Sequence, residues 1–152
     1  MNSDSTRTAP EPEPERLLVV EISGGLYALD STAVREIVDA IPATRLPGAP
    51  PHVLGVINLR GQLLTVLDAS RRLTGSPSPS PSHEGSIVVV ASADRVLGLQ
   101  VDDVHDVQEF DVVPAERETL ARAEGLLVGL GRLGDEVVLV IDVPELVRQT
   151  LA

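Results

Sequence analysis

The sequence predicts a mostly β protein made of two pseudo-repeated halves, each a small barrel of about four to five short strands, with short helices that include one at the C-terminus. Three observations carry this. The chain is 43% hydrophobic but only 1% aromatic, with Tyr27 and Phe110 alone, so its core is aliphatic and dominated by Val and Leu; branched side chains suit a pleated surface. The apolar runs are short and separated by Gly, Pro and polar turn residues. Finally, the chain matches itself without gaps. Residues 18–38 fall on 88–108, aligning Val19 with Val89, Val20 with Val90, Leu29 with Leu99 and Val34 with Val104. Residues 55–68 fall on 129–142, aligning Gly55 with Gly129, Leu59 with Leu133, Val66 with Val140 and Asp68 with Asp142. Two copies are too few for a solenoid. Units of roughly 60 residues have thin cores, so they should pack on each other, hide their sheet edges by closure and leave a groove at their junction. The alternative is one continuous sandwich with repeating strand spacing.

The elements follow in order. Residues 1–16 alternate Pro10, Pro12 and Pro14 with Glu11, Glu13 and Glu15, a polar, like-charged pattern of a disordered tail. Leu17 to Ile22 and Leu26 to Leu29 read as strands about a Ser23-Gly24-Gly25 turn. Asp30 and Ser31 offer cap oxygens for a short helical turn, followed by Val34-Arg35-Glu36-Ile37-Val38. Four prolines make 42–51 a loop. Residues 55–68 form a hairpin, and 69–73 fit one helical turn. The Ser/Pro-rich stretch 75–86 is a connector between halves of about 17–74 and 87–151. Ile87 to Ala91 and Val96 to Val101 repeat the first two strands. Pro114 opens a helix-favouring segment through Ala123. Leu126 to Leu130 and Val137 to Ile141 make a hairpin about Gly134-Asp135, and Pro144 to Leu151 form an amphipathic helix.

Charge and composition narrow the function. The net charge is −11 and all twelve basic residues are arginine, which disfavours nucleic acid and anionic membrane surfaces as partners. With no cysteine, thiolate chemistry and disulfides are excluded. No apolar run approaches the ~20 residues of a membrane span, and the N-terminus lacks a secretory pattern; the expectation is a cytoplasmic protein.

Few residues suggest chemistry. Gly129 to Gly134 spells G-x-G-x-x-G, but a strand rather than a helix follows it, so the dinucleotide reading fails. Asp102, Asp103, His105 and Asp106 flank valines and read as the wet side of an apolar face rather than a metal loop. His52, His83 and His105 are scattered, with no nucleophile elbow. No catalytic constellation and no cofactor site emerges; an enzyme or ligand sensor using the groove rests only on the acidic V-x-x-V segments. The informative pair is Glu36 and Arg60. Asn58 and Arg60 interrupt an aliphatic run, and a buried guanidinium needs a partner. Glu36 can supply it, either to fix the turn or to mark a docking site at the lip of the groove between the halves.

Val34-Arg-Glu-Ile37, the run Leu46-Pro-Gly-Ala-Pro-Pro-His-Val-Leu-Gly-Val-Ile-Asn-Leu-Arg-Gly61 and Thr65-Val-Leu-Asp68 resemble the CheW-type chemotaxis coupling proteins. In the second half, Val96 to Val107 and Leu127 to Gly134 agree. The resemblance covers about residues 17–150. It implies two SH3-like five-stranded barrels sharing an apolar layer, in which the first strand can join the second-half barrel. It implies a non-catalytic adaptor that binds the cytoplasmic tip of chemoreceptors and the regulatory domain of a chemotaxis histidine kinase, in membrane-associated arrays. Val34, Glu36, Asn58, Arg60 and Gly61 match the family's partner-recognition segment. His52, Thr65 and Ala69 depart from the pattern, and the alternative is a divergent member that binds receptors without the kinase in a motility or other chemosensory-like pathway.

Overall fold

A computed structural model describes residues 14–78 and 84–151; the tail reading for 1–13 and the middle of the Ser/Pro connector lie outside them. Eleven strands form two sheets. Sheet I has the order β8-β1-β2-β11-β10-β9, from β1 (Glu15–Ile22), β2 (Gly25–Asp30), β8 (Asp103–Phe110), β9 (Val113–Pro114), β10 (Leu127–Leu133) and β11 (Glu136–Ile141). Sheet II has the order β3-β6-β7-β5-β4, from β3 (Val34–Asp39), β4 (Val53–Leu59), β5 (Gln62–Asp68), β6 (Ser86–Ser92) and β7 (Arg95–Val101).

The repeat therefore exchanges its hairpins. The first hairpin, β1–β2, sits in the sheet built from the second half, and its counterpart β6–β7 sits in the sheet built from the first. Each exchange is sealed by one parallel pairing: β2 with β11 (Tyr27 opposite Leu139) and β7 with β5 (Leu99 opposite Leu67). The hydrophobic pattern explains the exchange. Leu17 and Val19 of β1 face a cluster within sheet I with Ala28, Phe110, Val138 and Val140. The alternate residues Leu18, Val20 and Ile22 face a layer between the sheets, shared with Leu29, Val88, Val90, Leu97, Leu99 and Val101. In β6, Ile87 and Val89 pack inside sheet II with Ile57, Leu64 and Val66. A strand apolar on both faces is stable only when covered on both, and the exchanged hairpins are the central strands that meet this condition.

The ladders do not close into unbroken barrels. Instead the chain leaving β3 crosses over so that Thr44 bridges Val56 of β4, with N–H···O distances of 2.9 Å in both directions. Leaving β8, the chain crosses in the same way, so that Val113 and Pro114 pair with Leu130 and Gly129 of β10. Pro114 is thus a strand residue, and the helix the sequence opens at proline begins at Arg117 instead. The crossings account for the repeated glycines: a Cβ on Gly55 would collide with the Thr44 backbone, and one on Gly129 with the Val113 carbonyl and the Val112 side chain. Val34 to Val38, unassigned by periodicity, form the edge strand β3.

Among the described residues three α-helices complete the fold, α1 (Ala69–Thr74), α2 (Arg117–Arg122) and α3 (Val143–Leu151), with a single 3-10 turn at Ser31–Ala33 capped by Asp30. The aligned acids cap two of them. Asp68 Oδ1 accepts from the Ser70 and Arg71 amides at 3.0 and 3.3 Å, and Asp142 Oδ1 from Glu145 at 3.1 Å, which satisfies otherwise orphaned donors. Helix α3 buries Val143, Leu146 and Val147 in the shared layer, and Arg95 Nη1 donates to the Leu151 carbonyl at 2.8 Å. No helix among the described residues is long and apolar enough to cross a membrane.

Candidate functional site: a cleft at one end of sheet II

The β4–β5 hairpin turns on Arg60 and Gly61, whose φ values of 51° and 86° fit the two-residue turn with left-handed central residues that strand twist prefers. Asn58 fixes this turn: its Oδ1 accepts from the Gly61 amide at 2.8 Å. Asn58 and Arg60 therefore do not interrupt a buried strand. Asn58 is an exposed residue at the end of β4, and Arg60 is a turn residue whose side chain is 69% exposed. Position, not burial of a charge, explains the polar residues in that aliphatic run.

Arg60 Nη2 donates to Glu36 Oε2 of β3, and the Glu36 side chain is 31% exposed. Such an exposed pair contributes at most about 1 kcal/mol to stability, so it orients the two groups more than it holds the fold. Both line a cleft of about 270 Å³ with Arg35, Leu59, Leu63 and Val96. Adjacent strand residues normally point to opposite faces. Arg35 and Glu36 both reach this cleft at a register shift between Val34 and Glu36 in the β3–β6 pairing, where a bulge re-aims side chains. Leu63 is 77% exposed and Val96 37%, so the rim is charged and the approach is apolar.

Of the five residues matched to the recognition segment, the structure brings Glu36, Asn58, Arg60 and Gly61 to this end of sheet II. Val34 lies at the start of β3, half-buried and packed on the shared layer, and does not line the cleft. The lining comes entirely from β3 to β7 and the β4–β5 turn. This cleft lies at the end of sheet II and draws on both halves, because the exchanged β6–β7 hairpin brings Val89 and Val96 beside first-half residues; between the two sheets the exchanged hairpins build the shared aliphatic layer. The reading missed Arg35, Leu63 and Val96. Leu63 was accessible from pattern: with Leu64 and Val66 inward, period-two alternation turns Leu63 to solvent.

On sheet I, carboxylates of Glu21 and Asp103 and the His105 ring offer ligand atoms within 4.8 Å of one another. Asp103 and His105 are exposed, Glu21 partly so, and their surroundings are those of a solvated edge strand.

The comparisons with known proteins bear on the whole fold. The CheW-like domain family matches residues 16–151. The chain is 42% identical over 101 residues to the chemotaxis protein CheW of Rhizobium meliloti, a match covering 64% of this chain and 64% of that protein, so the chain spans under two thirds of that relative's length. It is 28% identical over 145 residues to the chemotaxis protein CheW of Klebsiella aerogenes, covering 93% of this chain and 86% of that one. Among solved structures, the scaffolding protein TtCheW from Thermoanaerobacter tengcongensis superimposes with a TM-score of 0.76 at 29% identity, covering 85% of this chain and 89% of that chain. With a family match over nearly all the described residues and a superimposable scaffold, the chain belongs to the CheW-like family.

Proposed function

We propose that this chain is a non-catalytic adaptor that couples chemoreceptors to a chemotaxis histidine kinase in a cytoplasmic, receptor-associated array, and that the Arg60 end of sheet II is one of its partner contacts. The observation that carries the reading is the cleft itself. A charged pair, Glu36 of β3 and Arg60 of the β4–β5 turn, rims exposed Leu63 of β5 and Val96 of β7. Exposed apolar residues framed by oriented charges are the composition of a protein–protein contact. Membership in a family with scaffolding members supports the same reading. The role asks nothing of the chain but binding: it brings two partners together, and a coupled equilibrium follows from its different affinity for their signalling states.

The test is reconstitution of receptor, kinase and this chain with Arg60→Glu. The variant keeps its sheets, because Arg60 is exposed and its pair contributes little to stability, while receptor-dependent kinase activation falls at least tenfold. Activation equal to that of the unaltered chain at matched urea midpoint overturns the assignment of this contact. Direct mixing with the kinase regulatory domain separates the alternative: binding at 1:1 is expected, and its absence with receptor binding intact favours an adaptor that serves receptors alone.

A further inference from the structure

Three of the twelve arginines, in a chain of net charge −11, converge on one place that the partner contact does not use. Arg71 and Arg72 of α1 and Arg122 at the end of α2 line a cleft of about 450 Å³ with His52 and Glu124. The cleft lies where the helix following sheet II meets the helix preceding β10, at the seam of the two halves. Its walls are anchored. The Asp68 amide donates to the His52 carbonyl at 2.8 Å, and Asp68 caps α1. Arg72 is only 12% exposed and donates through Nη1 to Glu124 Oε1 at 3.1 Å and through Nη2 to Gln149 of α3.

Glu124 is the single acid in the lining, and Arg72 already engages it. Among the described residues Arg71 and Arg122 form no ion pair. Two guanidiniums with no ion-pair partner among the described residues therefore stand beside a third that Glu124 and Gln149 hold, in a chain of net charge −11. Burial first, and then the neighbouring Arg72 charge, push the His52 ring below its ordinary pKa, with Glu124 opposing. Planar guanidinium forks match the oxygens of a tetrahedral anion in bidentate geometry, and a cleft this large admits more than a lone carboxylate.

We propose that the α1–α2 cleft binds a phosphoryl group, as free phosphate or on a small phosphorylated molecule, with Arg71 and Arg122 as its direct ligands and Arg72 as the fixed charge behind them. A ligand bound only by the folded state raises its melting temperature. The experiment titrates the full chain with inorganic pyrophosphate at constant ionic strength, following unfolding by calorimetry, with chloride, inorganic phosphate and glutamate as parallel arms. Pyrophosphate is expected to raise the melting temperature by several degrees over chloride, phosphate by less, and glutamate not at all. R71Q/R122Q abolishes the shift, R122Q alone, on an exposed position, weakens apparent affinity at least threefold, and R132Q, an arginine on β10 away from the cleft, leaves it intact. No shift over chloride, an equal shift with glutamate, a shift that survives R71Q/R122Q, an apparent affinity unchanged in R122Q, or a shift lost equally in R132Q overturns the proposal.

Discussion

The two ends of this molecule share a backbone and differ in chemistry. The cleft at the β4–β5 end of sheet II carries Arg35, Glu36, Arg60 and Val96. The aligned positions at the β10–β11 end of sheet I are His105, Asp106, Gly134 and Leu26, and a cleft of about 620 Å³ there is lined by His105, Asp106, Leu133, Asp135, Glu136 and Glu21. Even the turns diverge. Arg60-Gly61 places both central residues in the left-handed region, whereas only Gly134 does so at the other end. Glycine reaches that region without strain, and arginine does not. A non-glycine turn residue with an ion-paired head has been retained on one side only. Duplication thus copied the scaffold, and the difference in chemistry between the ends lies in the few side chains that the scaffold does not constrain.

If the scaffold is symmetric, matched core substitutions must cost the same. Leu29 and Leu99 are aligned, both 0% exposed and both in the shared layer. Truncating either to alanine is expected to destabilise by about 3 kcal/mol, read as urea midpoints, with the two variants within about 1 kcal/mol of each other. A large inequality would show that one sheet dominates stability.

The glycines under the crossing segments sharpen the comparison. Gly55→Ala meets the Thr44 backbone and also strains a φ of 138°, whereas Gly129→Ala meets Val113 and Val112 without a positive φ. Both destabilise, by roughly 2 kcal/mol for Gly129 and about 1 kcal/mol more for Gly55. The reverse order in denaturant melts would contradict the difference.

The smallest effect concerns the helices after the aligned caps. Where α1 has Arg71, α3 has Glu145. Hydrogen bonds from Arg148 first, and then Gln149, lower the Glu145 carboxyl from 4.5 to about 2; Arg148 Nε donates at 2.9 Å. Because the folded-state pKa lies below the unfolded one, this stabilisation is complete above about pH 4.5 and disappears as pH falls through about 2. Glu145→Gln is expected to lie below the parent in stability at pH 6 and to converge with it by pH 2, a small change because the group is solvent-exposed. A gap that persists at pH 2 would assign the effect to something other than ionisation.

Much of the fold was legible in the sequence because its signals are local. Turn residues at Ser23-Gly24 and Gly134-Asp135, the cap oxygen of Asp30 and the short valine-rich runs place strands and helical turns from neighbouring residues alone. The gapless self-match exposed the duplication, and the Glu36–Arg60 pair followed from charge and order. The rest depends on partners distant in sequence. Nothing local states that Pro114 pairs with Gly129, that a bulge at Arg35 brings it into the cleft with Arg60, or that β6–β7 joins the first-half sheet. Val34 lies on the edge strand, half-buried against the shared layer, a placement no local pattern states because the facing strand is distant in sequence. Arg60 was read as buried because its neighbours are aliphatic; the tip of a hairpin escapes that average.

Exchanged hairpins also constrain the history of each molecule as it is made. Strand β2 leaves the ribosome more than 100 residues ahead of its parallel neighbour β11. Neither sheet can acquire its full complement of strands from a half-finished polypeptide. Separately expressed halves would each present a hairpin with two greasy faces and nowhere to put them, so the duplicated pieces, once independent in ancestry, are now obligate companions.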